Sequence, residues 1–233
     1  MKVKNHILNL NRERSKGVNK VGVPLDKNER VIPFHISTLN DLRKKLANNI
    51  WKYPDVDSYY DIFADWLNID SSRLFFTEGV SGAIRNLMEL YAETTVYYDT
   101  PTYAMYDVYA KIFRLIRDDN IDNADLIFLQ NPNIPYGTSY SEDEIRNICS
   151  STDKIVALDD VYFGFNVSDY LPLIDEYDNL VKVLNQMIST LVLDWVILCH
   201  KNIILNIFQI IEMDMKLIYC LYKPHTILLI MKK

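Results

Sequence analysis

Two short apolar runs, each closing on polar turn-forming residues, constrain this chain most. Leu126-Ile127-Phe128-Leu129 runs into Asn131-Pro132-Asn133-Ile134-Pro135-Tyr136-Gly137, and Ile155-Val156-Ala157-Leu158 runs into Asp159-Asp160-Val161-Tyr162. Continuous apolar runs of this length, bounded by turn signals, have the pattern of buried strands. In an open parallel sheet the carboxyl ends of the strands open onto the ligand crevice. A carboxylate and a phenol three residues apart at such an end can meet one ligand.

The rest of the chain extends this alternation. Leu42, Leu46 and Ile50 have helical spacing, broken at Tyr53-Pro54-Asp55, and a second helix runs through Tyr60, Phe63 and Leu67. Arg73 to Thr77 reads as a strand, Glu78 to Gly82 as a turn and Ala83 to Ala92 as a helix. Thr95 to Asp99 reads as another strand, ended by Pro101, and Tyr103 to Phe113 as a helix. Strand and helix thus alternate from about 73 to 183, the signature of a doubly wound α/β sheet. The first residues, 1–38, are polar and read as an arm, and the core domain is placed at 39–183. Residues 184–233 differ: they contain no glycine and one proline, Pro224, so they lack the punctuation an α/β domain needs.

Composition narrows the function classes. Hydrophobic content of 49% with 24% charge is that of a globular protein and opposes global disorder. A net charge of -6 opposes a nucleic-acid surface. Cys149, Cys199 and Cys220 have no metal-like spacing and form no even framework, which favours a reducing compartment and a cytoplasmic location. No clean 18-residue apolar run marks a membrane helix. None of His6, His35, His200 and His225 lies near the motifs, so no metal site or Ser-His-Asp triad is expected.

Three segments carry candidate chemistry. Gly79-Val80-Ser81-Gly82 lies between a strand and a helix, where glycines admit an anion to the backbone and a helix N-terminus presents unpaired N–H groups. A strand-end acid such as Asp159 commonly caps a helix; a buried one can instead hold a proton on a pyridine nitrogen. Tyr162 suits a hydrogen bond to a ring oxygen, and Tyr103, after Pro101-Thr102, suits stacking on an aromatic ring, although aromatic residues at such places also serve as packing.

In order, these segments resemble those of the fold-type I pyridoxal-phosphate-dependent enzymes, most closely the histidinol-phosphate aminotransferase-like branch, over about residues 22 to 183. Leu25 to Arg30 resembles the N-terminal substrate-side motif, which the resemblance places at Asn28 and Glu29. Tyr53-Pro54-Asp55 resembles the segment whose tyrosine reaches a second subunit's cofactor phosphate. Gly79 to Ile84 is similar to the phosphate-cradling turn, with Gly79, Val80 and Ser81 as its contacts. Pro101 to Tyr106 resembles the segment with the ring-stacking aromatic, Tyr103. Asn131 to Gly137 resembles N-P-N-N-P-T-G, which nominates Asn133, and Asp159 to Tyr162 resembles D-E-A-Y. The resemblance implies the first part of the family's large domain, a mostly parallel sheet with flanking helices. It also implies pyridoxal 5'-phosphate as cofactor, an amino acid and a 2-oxo acid as small-molecule partners, and a homodimer for the intact family member. The activity implied is transfer of an amino group. A decarboxylase or lyase of the same fold would keep the same cofactor residues, and a non-catalytic pseudogene product is a further alternative.

Two departures bear on activity. Ile134 stands where the family asparagine donates to the ring oxygen, and Tyr136 replaces a threonine. Asn179-Leu180-Val181-Lys182-Val183 matches the strand before the family's Schiff-base lysine, yet Leu184 to Ser189 contains no lysine; Lys182 lies in the strand and Lys201 well past the expected place. Without that amine, transimination loses its nucleophile, and this chain is expected to be inactive. Codons for Leu193-Asp194-Trp195-Val196-Ile197, read in a shifted frame, permit R-L-G-Y of the family motif. Residues 184–233 are therefore read as an apolar tail, truncating the family pattern and out of frame with it.

Overall fold

The structure, a computed structural model, describes residues 5–8, 10, 32–49, 51–52, 57–163, 169–185 and 195–199. Helix α1 (Ile36–Asn49) and helix α2 (Asp57–Leu67) precede the sheet. On α2, Tyr59, Phe63, Ala64 and Leu67 are buried, one apolar stripe at helical spacing. Strand β1 (Leu74–Glu78) leads into α3 (Gly79–Leu90), and β2 (Thr95–Tyr97) is followed by α4 (Met105–Phe113) and β3 (Ile116–Arg117). Strand β4 (Leu126–Gln130), helix α5 (Glu142–Ser151) and strand β5 (Ile155–Asp160) follow, then α6 (Leu173–Glu176), β6 (Leu180–Asn185) and β7 (Trp195–Cys199).

The strands form one sheet in the order β1-β7-β6-β5-β4-β2-β3. Strands β2 to β6 pair in parallel, while β7 is antiparallel to both β1 and β6. Strand β1 therefore runs in the same direction as β6, and the carboxyl ends of β1, β4, β5 and β6 share one edge. Every residue of β4 and β5 is buried, as continuous apolar runs require of strands covered on both faces. One face packs Leu129, Val156, Leu158 and Leu180 against α2, α5 and α6. The other packs Phe75, Phe128, Ala157 and Val183 against α3 and α4. Helix α5 begins with a reciprocal cap: Ser141 Oγ accepts from the Glu144 N–H, and the Glu144 carboxylate accepts from the Ser141 N–H.

The structure differs from the sequence reading in three places. The segment read as a turn at Glu78 to Gly82 is largely the first turn of α3. Gly79, at φ 69°, swings the chain out of β1, and at Gly82 a Cβ would meet the Glu78 Cβ at 3.2 Å, so the helix sits close against the strand end. Strand β3, two residues long, is too short to leave a periodic signal. The division placed after residue 183 falls inside β6, and β7 lies within the stretch read as an aberrant tail. Residues 11–31, with Asn28 and Glu29, and residues 53–56, with Tyr53, lie outside the described residues.

Candidate functional site

At the carboxyl edge of the sheet lies a cavity of about 220 Å³. It brings together Val80 and Ser81 from the first turn of α3, Thr102 and Tyr103 before α4, Tyr106 on α4, and Gln130 at the end of β4. Pro132 and Ile134 of the following loop and Asp159, Val161 and Tyr162 at the end of β5 complete it. Among the residues expected from sequence, Val80, Ser81, Tyr103, Asp159 and Tyr162 thus share one cavity. Ser81 Oγ and Tyr103 Oη are 3.0 Å apart, a hydrogen bond that ties the α3 turn to the aromatic wall. Gly79 is buried just behind Ser81, and the residue preceding α3 places no side chain across the helix's N–H groups. That end of the helix is suited to an anion.

Asn133 is placed differently from the expectation. Its N–H donates to the Thr138 carbonyl at 2.7 Å and its own carbonyl accepts from Gly137 N–H at 2.7 Å, a closed turn that buries it inside the loop. Its neighbour Ile134 lines the cavity instead, so that wall is apolar. The loop is held to the sheet by Asn131, whose N–H donates to the Asp159 carbonyl at 2.8 Å and whose Oδ1 accepts from Tyr140 N–H at 3.0 Å.

Asp159 is the electrostatic centre of the cavity. The residue is 6% exposed, and burial raises its pKa from 3.8 to about 6. The Tyr106 hydroxyl and the neighbouring Val161 amide oppose that rise, and the charge of Asp160 adds to it. Tyr106 donates to Asp159 Oδ2 at 2.6 Å. Its phenol is in turn pushed well above the usual value by burial and by that carboxylate, so it remains a donor. Asp159 Oδ1 is buried with no hydrogen-bond partner among the described residues. A buried carboxylate oxygen without a partner is costly unless a ligand supplies the donor.

Lys182 is on the other side of the sheet. Asp159 is in register with Val183, whereas Lys182 is in register with Leu158 and shares its face. There its ammonium is fully buried, 3.1 Å from Asp160 and 3.7 Å from Asp169, over the ring of Phe163 at 4.8 Å. It cannot reach the cavity without crossing the sheet. The cavity's lining contains no lysine or arginine among the described residues.

The residues sequence reasoning missed are Tyr106, Gln130, Thr102, Pro132 and Val161. Tyr106 had a signal in its spacing, three residues after Tyr103 in a helical stretch. An aromatic at that spacing reads equally well as core, which Tyr106 also is, packed 5.1 Å from the Phe128 ring. Gln130 had only its position, one residue past an apolar run.

The arrangement fits a phosphorylated pyridine cofactor at three points: a partnerless carboxylate oxygen for a ring N–H, an aromatic wall, and a serine on a helix's first turn. It does not fit at a fourth, since no amine faces the cavity among the described residues.

No family model matches the chain. Its fold is shared with solved structures of pyridoxal-phosphate enzymes. Histidinol-phosphate aminotransferase from Sinorhizobium meliloti in complex with pyridoxal-5'-phosphate superposes with a TM-score of 0.68 at 17% identity, over 80% of this chain and 58% of that one. L-threonine-O-3-phosphate decarboxylase from Porphyromonas gingivalis gives 0.61 at 20% identity, over 70% and 59%. The sheet and its flanking helices share the fold of these structures, among them ones solved with pyridoxal phosphate bound. By sequence the chain is similar to histidinol-phosphate aminotransferases. It is 28% identical over 207 residues to the one from Caldanaerobacter subterraneus subsp. tengcongensis and 26% identical over 188 residues to the one from Sulfurisphaera tokodaii. These matches cover 75% and 70% of this chain but 58% and 53% of the relatives, so the chain spans little more than half their length.

Proposed function

We propose that this chain carries the cofactor-binding part of an aminotransferase of the histidinol-phosphate class and holds pyridoxal phosphate without turning it over. The observation that carries the reading is Asp159, a buried carboxylate at the end of β5 with one oxygen unpartnered, on the same cavity as Ser81 and Tyr103. Asp159 would hold the pyridine proton, Tyr103 would cover one face of the ring, Tyr162 would flank it, and Ser81 with the α3 turn would take the phosphate. The bound cofactor supplies an electron sink for bonds broken at an amino acid's α-carbon. Tyr106 keeps Asp159 oriented, and the buried strand ends exclude water from behind it.

Amino transfer is favoured over decarboxylation because the relatives by sequence are aminotransferases. Inactivity follows from the amine. Between Lys182, which is buried on the opposite face, and Lys201 the sequence has no lysine. In this reading the protein is cytoplasmic, and in a homodimer Tyr53 of one copy would complete the phosphate site of the other, with Asn28 and Glu29 on the substrate side. Among the described residues, no helix is long and apolar enough to cross a membrane.

The test is binding followed by borohydride reduction. Pyridoxal phosphate and pyridoxamine phosphate should bind stoichiometrically and with similar affinity, and reduction should leave no covalent label. Absence of binding by either form would sink the cofactor assignment. A label mapped to Lys182 or Lys201 would sink the claim of inactivity.

A further inference from the structure

Lys182 is a buried charge that the chemistry above does not use. Its ammonium lies behind the sheet against two carboxylates, Asp160 on β5 at 3.1 Å and Asp169 ahead of α6 at 3.7 Å. It also stands 4.8 Å from the centre of the Phe163 ring and 5.9 Å from that of Tyr170. An ammonium is attracted to aromatic faces, the more so away from water. Each of these rings leads into a wall of the cavity. Phe163 closes the turn that leaves β5, where its N–H donates to the Asp160 carbonyl at 2.9 Å. In that turn Val161 and Tyr162 line the cavity, while Phe163 meets Lys182 and, edge to face at 6.0 Å, the ring of Trp66. Tyr170 gives the second route. Its hydroxyl donates to the Tyr140 carbonyl at 3.0 Å, and the Tyr140 N–H donates to Asn131 Oδ1 at 3.0 Å. Asn131 opens the loop whose Pro132 and Ile134 line the cavity.

We propose that Lys182 is a positioning residue of the cavity. From the opposite face of the sheet its ammonium holds the turn that carries Val161 and Tyr162 and, through Tyr170 and Tyr140, the loop that carries Ile134. A buried ion pair adds little stability over apolar residues of the same volume, so what this one supplies is position. The far wall of the cavity, Val80 and Ser81 on α3, is reached by neither route and serves as the internal comparison. That the cavity takes a pyridine phosphate rests on the cofactor reading above; the placement of its walls by Lys182 does not.

The experiment uses the full chain with labelled Ile and Val methyl groups, followed by NMR, and pyridoxamine 5'-phosphate as the probe of binding. Lys182→Ala should shift the methyl signals of Val161 and Ile134, leave those of Val80 in place, and weaken the probe about tenfold, the worth of one hydrogen bond. Propylammonium, which replaces the atoms the alanine lacks, should return both signals and the affinity toward wild type; n-propanol, of similar size and uncharged, should not. Val161 and Ile134 signals that stay at their wild-type positions overturn the proposal. So does movement of Val80 along with them, which marks a core loosened throughout, or equal rescue by n-propanol, which marks a need for volume and not charge. Should Lys182→Ala fail to fold even with propylammonium, Tyr170→Phe decides: it cuts the second route alone and should move Ile134 while Val161 and Val80 stay, and an unmoved Ile134 overturns the proposal. A wild type that does not bind pyridoxamine phosphate removes the cofactor reading, and the methyl signals still judge this inference.

Discussion

Replacing Asp159 with asparagine should make the ligand-free protein more stable at neutral pH while abolishing its hold on a ring cation. The folded-state pKa of about 6 lies above the ordinary value of 3.8, chiefly through burial. The difference of about 2 units corresponds to about 3 kcal/mol, at 1.36 kcal/mol per unit. Because the folded value is the higher one, the carboxyl favours folding below about pH 4, and that contribution is lost as pH rises through about 6. At pH 7.5 the buried charge therefore costs about 3 kcal/mol. Asparagine removes the charge, its amide oxygen can still accept from Tyr106, and its NH₂ faces a cavity with room for water. Urea denaturation followed by tryptophan fluorescence, without ligand, should show Asp159→Asn more stable by about 2–3 kcal/mol at pH 7.5, with the gap closing by pH 4. A variant no more stable than wild type at pH 7.5, or a gap indifferent to pH, would refute the reasoning.

The buried pair behind the sheet makes the converse case. Lys182→Met should destabilise by about 3–5 kcal/mol, because it removes the cation 3.1 Å from the buried Asp160 carboxylate and leaves the like charge of Asp169, also held near that ammonium at 3.7 Å, opposing it. Lys182→Met combined with Asp160→Leu should return to within about 1 kcal/mol of wild type, and a double variant as weak as the single would contradict this. Ser141→Ala removes one half of the α5 cap and should cost about 1 kcal/mol in the same urea titration, together with faster amide exchange confined to the first turn of α5.

The strand ends were legible because their physics is local. Leu126 to Leu129 and Ile155 to Leu158 are apolar without interruption, and the residues that stop them are turn formers. Asp159 could be singled out because Asp159 to Tyr162 resembles a family motif; a strand-end acid by itself reads as readily as a helix cap. The start of α3 was not legible, since Gly-Val-Ser-Gly is ordinary turn composition and only the close approach at Gly82 shows that it opens a helix. Tyr106 was hidden by its own burial, because core and site make the same demand of an aromatic at that spacing. Lys182 looked like an isolated cation between valines; its partner Asp160 belongs to a neighbouring strand and enters only through the register of β5 with β6.

The topology also orders the assembly of the site in time. The sole strand partner of β1 among the described residues is β7, so Leu74 lies opposite Cys199. A growing chain can join β4, β5 and β6 through short crossovers and so form the Asp159 wall early. The Ser81 wall hangs from the end of β1, whose place in the sheet is fixed only when residues 195–199 arrive. Closing so long a loop is entropically dearer than the local crossovers, and contacts of such separation form late. The two sides of the cavity thus belong to different moments of synthesis, and residues 195–199 decide when they meet.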